Sequence, residues 1–424
     1  MRDYQRRVID DELDEFQPQL AATHLYGAKG VGKTATALRR AASVISLDQT
    51  RDRELFLADP DAIESLPPPL LIDEWQRQPE GWDRVRQSVD AGAPNGHYII
   101  AGSASPPRGG QVHSGAGRIV SFMMRPLSLA ERGVAEATVS LGDMLKGEAK
   151  ATGRTKLKLA DYVREITASG FPAIRPHSER TRSRLLDSYL RNVVQREVPE
   201  QGYPVRKPAA LLQWMAAYAA ATANTTSYNR ILDAAMPGVS DKPSKPAAIA
   251  YRQVLSRLWL LDPVEAWSPS QARIERLTWA PKHYLADPAL AARLLKVDQA
   301  ALLRGSQGTR SHLRAGNLLA VLFEHLVALS VKTYAQAGDA EVRHLRTHGG
   351  QHEVDLVVEN SAGGVVALDV KLTATPVSDD VKQLVWLRDR LGSSFVDGAV
   401  ITCGSQAYRR KDGIAVIPAA LLGP

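Results

Sequence analysis

The alternation of apolar and polar positions divides the chain into three stretches of different rhythm. In the first, residues 23 to 34 read THLYGAKGVGKT, an apolar-flanked strand running into a glycine-rich turn, and TATALRRAAS continues with strong helix formers. SVISLD (43–48), PLLIDE (69–74) and HYIIAGS (97–103) are further strand-like runs separated by helical or polar text. Strands alternating with helices predict a parallel sheet covered on both faces. Past residue 130 this rhythm stops. SERTRSRLLDSYLRNVVQREV (178–198) sets Arg180, Arg182, Arg184, Arg191 and Arg196 on amphipathic turns. Helical patterns over 211–223, 225–236 and 245–261 are followed by the strand-like pieces PVEAW and ERLTWA around SPSQAR, which together predict a winged helix. From 315 a long apolar helix, AGNLLAVLFEHLVALSVKTYAQ, precedes strands over 352–359, 365–372 and 397–404 and the helix VSDDVKQLVWLRDRLG, a further α/β unit. The expected organisation is an α/β sheet domain over 1–130, a helical lid or linker over 131–205, a winged-helix-like unit over 206–305 and a C-terminal α/β core over 306–424.

Composition narrows the classes without choosing among them. The 424 residues, 44% hydrophobic, suffice for more than one buried core. Lys and Arg number 53 against 46 Asp and Glu, and the resulting +7 tolerates a polyanionic partner without requiring one. The single cysteine, Cys403, excludes a disulfide framework and any multi-cysteine metal site and fits a reducing compartment. The start, MRDYQRRVIDDELDEF, lacks a signal-peptide core, and no run approaches 18 uninterrupted apolar residues, so a cytoplasmic chain with no membrane span is expected. PPRGGQVHSGAGR (106–118) reads as a glycine-rich loop.

The chemistry begins with Gly27-Ala28-Lys29-Gly30-Val31-Gly32-Lys33-Thr34, a full match to G-x-x-x-x-G-K-[ST] between a strand and a helix. Its glycines let backbone N–H groups close around the phosphates of ATP, Lys33 can reach the β and γ oxygens, and the Thr34 hydroxyl can reach Mg2+. Leu70-Leu71-Ile72-Asp73-Glu74 is a buried strand ending in two carboxylates, where ligands of open parallel sheets bind. Asp73 is expected to hold the metal and Glu74 to polarise the attacking water. Ser103 ends the next strand, where its hydroxyl can orient water or sense the γ-phosphate. Arg118 is a candidate arginine finger, acting in cis or from a neighbouring subunit, against the plainer reading of a surface arginine.

A second cluster lies near the C-terminus. Glu324 sits in a helix that is apolar nearly all round, where a lone carboxylate is costly without a partner. Strand periodicity puts Glu353 and Asp355 on one face, and likewise Asp369 and Lys371. A hairpin loop over 360–364 pairs Glu359 with Val365 and, counting back, Asp355 with Asp369 and Glu353 with Lys371. Opposed like charges invite a cation, so Glu324, Asp355 and Asp369 become three oxygen ligands for Mg2+, with Lys371 to orient water or offset charge on a scissile phosphate. A solvated hairpin is the alternative, and it explains Glu324 poorly. Gln383 on the following helix is a weaker candidate.

Several motifs resemble, in order, those of prokaryotic AAA-type (AAA+ superfamily) ATPases whose C-terminal domain of unknown function carries a PD-(D/E)XK nuclease-like signature. They are GAKGVGKT, ISLDQTRDRELFLADP, LLIDEWQ, YIIAGSASP, GAGRIVSFMMRPLSLAE, ASGFPAI, SYLRNVVQREVPE, PKHYLADPAL, GNLLAVLFEHLV and the EVDLVVE and ALDVKL pair. The resemblance implies an ATPase domain, a winged-helix linker and a restriction-endonuclease-like core. It puts the glycine–arginine pair on Gly117 and Arg118 and the nuclease-like signature on Glu324, Asp355, Asp369 and Lys371, with aspartate where many members of the wider nuclease group have glutamate. Two functions are then expected. In one, ATP drives remodelling of DNA, with branched or junction DNA an attractive substrate, and the core binds or cuts it with Mg2+; Lys242, Lys245, Arg252 and Arg257 supply phosphate contacts. In the other, a nucleotide-controlled switch binds DNA or protein through a catalytically inactive core, in defence or mobile-element maintenance. A homo-oligomer, with a hexamer as the ring form, is expected for a finger acting in trans.

Overall fold

A computed structural model describes residues 4–104, 115–235, 244–268, 280–305 and 313–424. Lys242, the strand-like ERLTWA up to Trp279 and most of the glycine-rich loop lie outside the described residues.

The first unit comprises α1 (Ile9–Phe16), β1 (Ala22–Tyr26), α2 (Lys33–Leu38), β2 (Ser43–Ser46), α3 (Thr50–Ala58), β3 (Leu70–Asp73), α4 (Glu80–Asp90), β4 (Tyr98–Gly102) and β5 (Ile119–Met123). The five strands are all parallel, in the order β2-β3-β4-β1-β5. β3 and β4 are buried at every position, as strands covered on both faces must be. Ser103 thus ends the strand beside β3. β5 is a strand that the periodicity did not isolate; it lies at the sheet edge with exposed residues on it.

The middle is helical: β6 (Val139–Ser140), α5 (Leu141–Lys146), α6 (Leu159–Ala168), α7 (Glu179–Asn192), α8 (Val198–Glu200), α9 (Pro208–Ala220), α10 (Tyr228–Ala234), α11 (Lys245–Arg257), α12 (Pro288–Leu294) and α13 (Gln299–Gly305). Ser178, Ser227, Ser244 and Asp287 cap α7, α10, α11 and α12 by accepting from backbone N–H groups of the first turn. α7 continues without a break through a π-helical segment, Val193–Glu197, into α8. Antiparallel bridges join Leu261 to Leu285 and Val264 to Lys282.

The last unit contains α14 (Leu313–Ala337), β7 (Ala340–Arg346), β8 (Glu353–Asn360), β9 (Val365–Lys371), α15 (Ser378–Leu391), β10 (Phe395–Thr402), β11 (Tyr408–Arg409), β12 (Ala415–Pro418) and β13 (Leu422–Gly423). Its mixed sheet runs β11-β12-β10-β9-β8-β7. Glu359 pairs with Val365 as the loop length predicts, but the ladder ends at Leu356 opposite Leu368. Leu318–Ala337 is long and apolar enough to cross a membrane by length and composition alone. Leu319, Leu322, Phe323 and Leu326 of that helix are packed into the protein core.

One hydrophobic cluster runs from Val8 through Tyr218 and Phe323 to Leu422, so the three units share a core. The chain end returns to the middle, where β13 pairs with β6.

Candidate functional site

The phosphate-binding loop is built where β1 meets α2. Gly27, Gly30 and Gly32 all have positive φ, and a Cβ on Gly27 would lie 2.1 Å from the Met124 carbonyl oxygen, so the turn admits only glycine there. Lys33 is buried, and its ammonium donates to the carbonyls of Gly27 (2.8 Å) and Ala28 (3.0 Å). Burial lowers Lys33 to about 8, with Glu74 and Asp73 acting in the opposite direction. The Thr34 hydroxyl lies 3.0 and 2.9 Å from the two carboxylate oxygens of Asp73. Burial, with the Glu74 charge adding to it, raises Asp73 to about 6. Hydroxyl and carboxylate oxygens side by side beside a phosphate loop are the hard donors that Mg2+ prefers, so Thr34 and Asp73 suit that ion.

Glu74 follows with φ 52° and ψ 42°, a left-handed conformation uncommon for a side chain of its size. Its carboxylate accepts from Gln76 Nε2 at 2.5 Å and from the Ser103 hydroxyl at 3.3 Å, and Gln76 Nε2 also reaches Ser103 Oγ at 3.1 Å. Glu74, Ser103 and Gln76 thus form one trio at the strand ends. Gln76 was not among the sequence candidates although it stands two residues past Glu74. It fits because Gly102 has no side chain; a Cβ there would lie 2.6 Å from Gln76 Oε1. That oxygen is buried without a hydrogen-bond partner.

Arg118 lies elsewhere. β5 runs parallel to β1 with Ile119 opposite Ala22, which sets Arg118 at the start of the sheet, while the phosphate loop leaves its far end. The separation along the strands is roughly 15 Å or more. Arg118 donates to Asp90 at 2.8 Å, and Asp90 closes α4 at the same sheet edge. In this arrangement Arg118 does not reach the phosphate loop of its own chain, and the reason is strand direction. Arg77 and Arg196 do reach this region, lining a cleft of about 330 Å³ beside Lys29, Gly30 and Ser103. Arg196 belongs to the π-helical segment, whose Glu197 accepts from Lys29 at 2.6 Å, while the Tyr189 hydroxyl donates to the Lys29 carbonyl at 3.1 Å. A larger cleft of about 880 Å³ opens against Gly32 and α2, bounded by Tyr4, Arg7, Leu38 and Pro172. Arg7, buried, braces the loop by donating to the Val31 carbonyl at 2.8 Å and to Glu131 at 2.9 Å.

Residues 20–132 match the family described as "AAA domain". The N-terminal unit is an AAA-type P-loop domain. Beyond this AAA domain, residues 159–301 match "Domain of unknown function (DUF8612)" and residues 321–422 match "Domain of unknown function (DUF4143)". No curated protein matches the chain. Among solved structures, "Replication initiator DnaA bound to AMPPCP and single-stranded DNA" is similar at 17% identity, covering 58% of this chain and 86% of that chain with a TM-score of 0.22, a likeness too loose to carry an argument.

The C-terminal cluster departs from expectation. Lys282, 1% exposed and on none of the elements considered for the site, places its ammonium 2.7 Å from Asp355 Oδ1, 3.1 Å from Glu324 Oε1 and 3.2 Å from Glu353 Oε1. The Tyr284 hydroxyl donates to the same Glu324 oxygen at 2.6 Å. Where the hairpin ladder stops, side chains replace it: the Asp355 N–H donates to Asp369 at 3.2 Å and the Val370 N–H to Asp355 at 2.9 Å. Burial would raise Asp355, but the Lys282 and Lys371 ammoniums outweigh it and hold it below its usual range. Glu324 and Asp369 are each pushed up to about 7 by burial and then by the Asp355 charge. Among the described residues no group of three or more His, Cys, Asp or Glu is arranged to hold a metal ion. The Lys282 ammonium meets Asp355, Glu324 and Glu353 but not Asp369, and with their oxygens at N–H···O distances from that nitrogen these carboxylates, as placed, do not fit Mg2+. The sequence signal for Lys282 was weak, one of two charges, with Asp287, in PKHYLADPAL. Gln383 Oε1 accepts from His352 Nδ1 at 2.8 Å.

Proposed function

We propose that this chain is an ATP-hydrolysing switch that binds DNA through its helical middle. The observation that carries the reading is one continuous helical run joining a basic face to the nucleotide cleft. Arg180, Arg184 and Arg191 are exposed on α7 and fall within about 40° of one line along it. Of the two acids on that helix, Glu179 stands in the first turn, and Asp187 is already engaged by Arg293 at 2.5 and 2.7 Å. The run then enters the π-helical segment whose Arg196 and Glu197 border the phosphate loop. A change at the loop on nucleotide binding or hydrolysis reaches the basic face through Lys29, Glu197 and Tyr189. α11 contributes less than expected, because Arg252 lies over the Tyr228 ring at 4.5 Å.

In this reading the phosphates lie on the glycine loop with Lys33 turned from its carbonyls toward them. The base and ribose enter the larger cleft. Thr34 and Asp73 hold Mg2+, which when bound neutralises phosphate charge. Glu74 orients the attacking water, and Gln76 and Ser103 fix the Glu74 carboxylate. Arg118 serves as a finger only if a neighbouring copy brings it to this site, in a homo-oligomer such as a hexamer.

The test combines ATP turnover with DNA-binding anisotropy in Mg2+, using single-stranded, linear and four-way-junction DNA. Lys33→Ala is expected to abolish turnover, and Arg180→Ala/Arg184→Ala/Arg191→Ala to weaken DNA binding and flatten its salt dependence by about one unit of slope per lost phosphate contact. DNA binding unchanged by the triple substitution would remove DNA from the reading. The nuclease alternative, drawing on Glu324, Asp355, Asp369 and Lys371, requires Mg2+-dependent cleavage that Asp369→Ala abolishes; DNA-stimulated hydrolysis without cleavage supports the switch.

A further inference from the structure

We infer that the Lys282 ammonium is the resident cation of the C-terminal carboxylate cluster, and that the core takes no divalent metal there. Oxygens of Asp355, Glu324 and Glu353 converge on one nitrogen at 2.7, 3.1 and 3.2 Å. Those are N–H···O distances; an Mg2+ ion at the same point would draw its oxygens in to about 2.1 Å. The ammonium donates to Asp355 Oδ1 and Glu324 Oε1 and pairs ionically with Glu353, so three carboxylates already share one buried positive charge. The acceptors are committed as well. Glu324 Oε1 also takes the Tyr284 hydroxyl at 2.6 Å, and the second Asp355 oxygen takes the Val370 N–H at 2.9 Å. Asp369 receives the Asp355 N–H at 3.2 Å instead of facing Asp355 across an ion.

Charge points the same way. Lys371 flanks the two aspartates and Arg346 reaches Glu353 at 3.4 Å, so positive charge already surrounds the carboxylates that a hard cation would need. The lysine arrives from outside the sheet, on the segment whose Val264–Lys282 and Leu261–Leu285 bridges belong to the helical middle. His283 Nε2 beside it donates to the Thr226 carbonyl at 2.7 Å, at the foot of α10. Lys282 therefore pins the middle of the chain to the C-terminal core with a contact that a metal would have to break. This inference stands independently of ATP hydrolysis.

The experiment is Mn2+ titration of the metal-stripped full chain without nucleotide, read by the electron paramagnetic resonance of free Mn2+ and by the thermal midpoint. Wild type is expected to give the same binding curve as Glu324→Gln, with any weak binding lost in Asp73→Asn. Lys282→Met, which leaves the converging carboxylates without their cation, is expected to gain about one site per chain and a midpoint that climbs with Mn2+. Wild-type binding of one Mn2+ that Glu324→Gln removes and Asp73→Asn retains would overturn the inference. So would a folded Lys282→Met whose midpoint ignores Mn2+. If Lys282→Met does not fold, the comparison of wild type with Glu324→Gln and Asp73→Asn decides alone.

Discussion

Gly102 shows how one absent side chain shapes the ATP site. It closes β4 with ordinary strand geometry, yet a Cβ there would lie 2.5 Å from Trp75 Nε1 and 2.6 Å from Gln76 Oε1. Gly102→Ala must displace the Trp75-Gln76 turn, at about 1–3 kcal/mol. It is expected to lower ATP turnover about tenfold or more while nucleotide affinity changes little, because Lys33 and the loop glycines are untouched. Turnover measured beside fluorescent-nucleotide binding checks this, and unchanged turnover would dismiss the trio. A second residue-scale effect concerns pH. Glu12, half-buried against Gln336, is raised to about 7 chiefly by burial. A carboxyl raised in the folded state contributes stability that is full below its unfolded value of 4.5 and is lost as pH rises through about 7. Wild type should therefore lose on the order of 1 kcal/mol relative to Glu12→Gln between pH 5 and pH 8, seen as converging or crossing urea midpoints.

At the scale of elements, strand direction decides what arginines can do. Arg118 follows the glycine loop in sequence but directly precedes β5, and a strand parallel to β1 begins at the end of the sheet away from the phosphates. Arg118→Ala is accordingly expected to leave ATP binding intact at every protein concentration and to reduce turnover only where copies assemble. A loss of turnover in dilute, monomeric protein, established by sedimentation, would contradict that placement. Ser103 reads the opposite way: β4 sits beside β3, so ending that strand brings the hydroxyl to Glu74. The hairpin of β8 and β9 was equally legible as far as turn length could carry it. Its register begins at Glu359 and Val365 as counted, then gives way at Asp355 and Asp369, where carboxylates take backbone N–H groups. Counting assumes an unbroken ladder, and two buried aspartates end it.

Across the whole molecule, the three units are fastened by buried charge as well as by apolar packing. Asp262, from the middle, accepts from Arg125 just after β5 at 2.9 Å and from Lys332 on α14, whose ammonium also reaches the carbonyls of Asp262 (3.1 Å) and Pro263 (3.0 Å). Burial opposes ionisation of Asp262, but Arg125 and Lys332 hold it well below the usual carboxylate range. Asp262→Asn would leave both cations without their counter-charge and is expected to cost about 3–5 kcal/mol, measured by chemical denaturation. Asp262→Asn/Lys332→Met should recover part of that loss. Because the Arg125 carbonyl also accepts from Arg7, which braces the Val31 carbonyl at 2.8 Å, this junction lies one residue from the phosphate loop.

The phosphate loop, Asp73, Glu74 and the succession of an α/β sheet, a helical middle and a second α/β unit could all be read from sequence alone. Each rests on short-range spacing: contiguous glycines and a lysine, an apolar run ending in acids, a period that changes from two to 3.6. What only the tertiary structure decided involves residues far apart along the chain. Arg7 meets Glu131, Lys29 meets Glu197, and Lys282 enters the cluster of Glu324, Glu353 and Asp355. A buried carboxylate announces that it needs a partner, because leaving it alone is too costly. Its own neighbourhood in sequence cannot say whether that partner is a metal ion or an ammonium, since the answer depends on which distant segment packs against it.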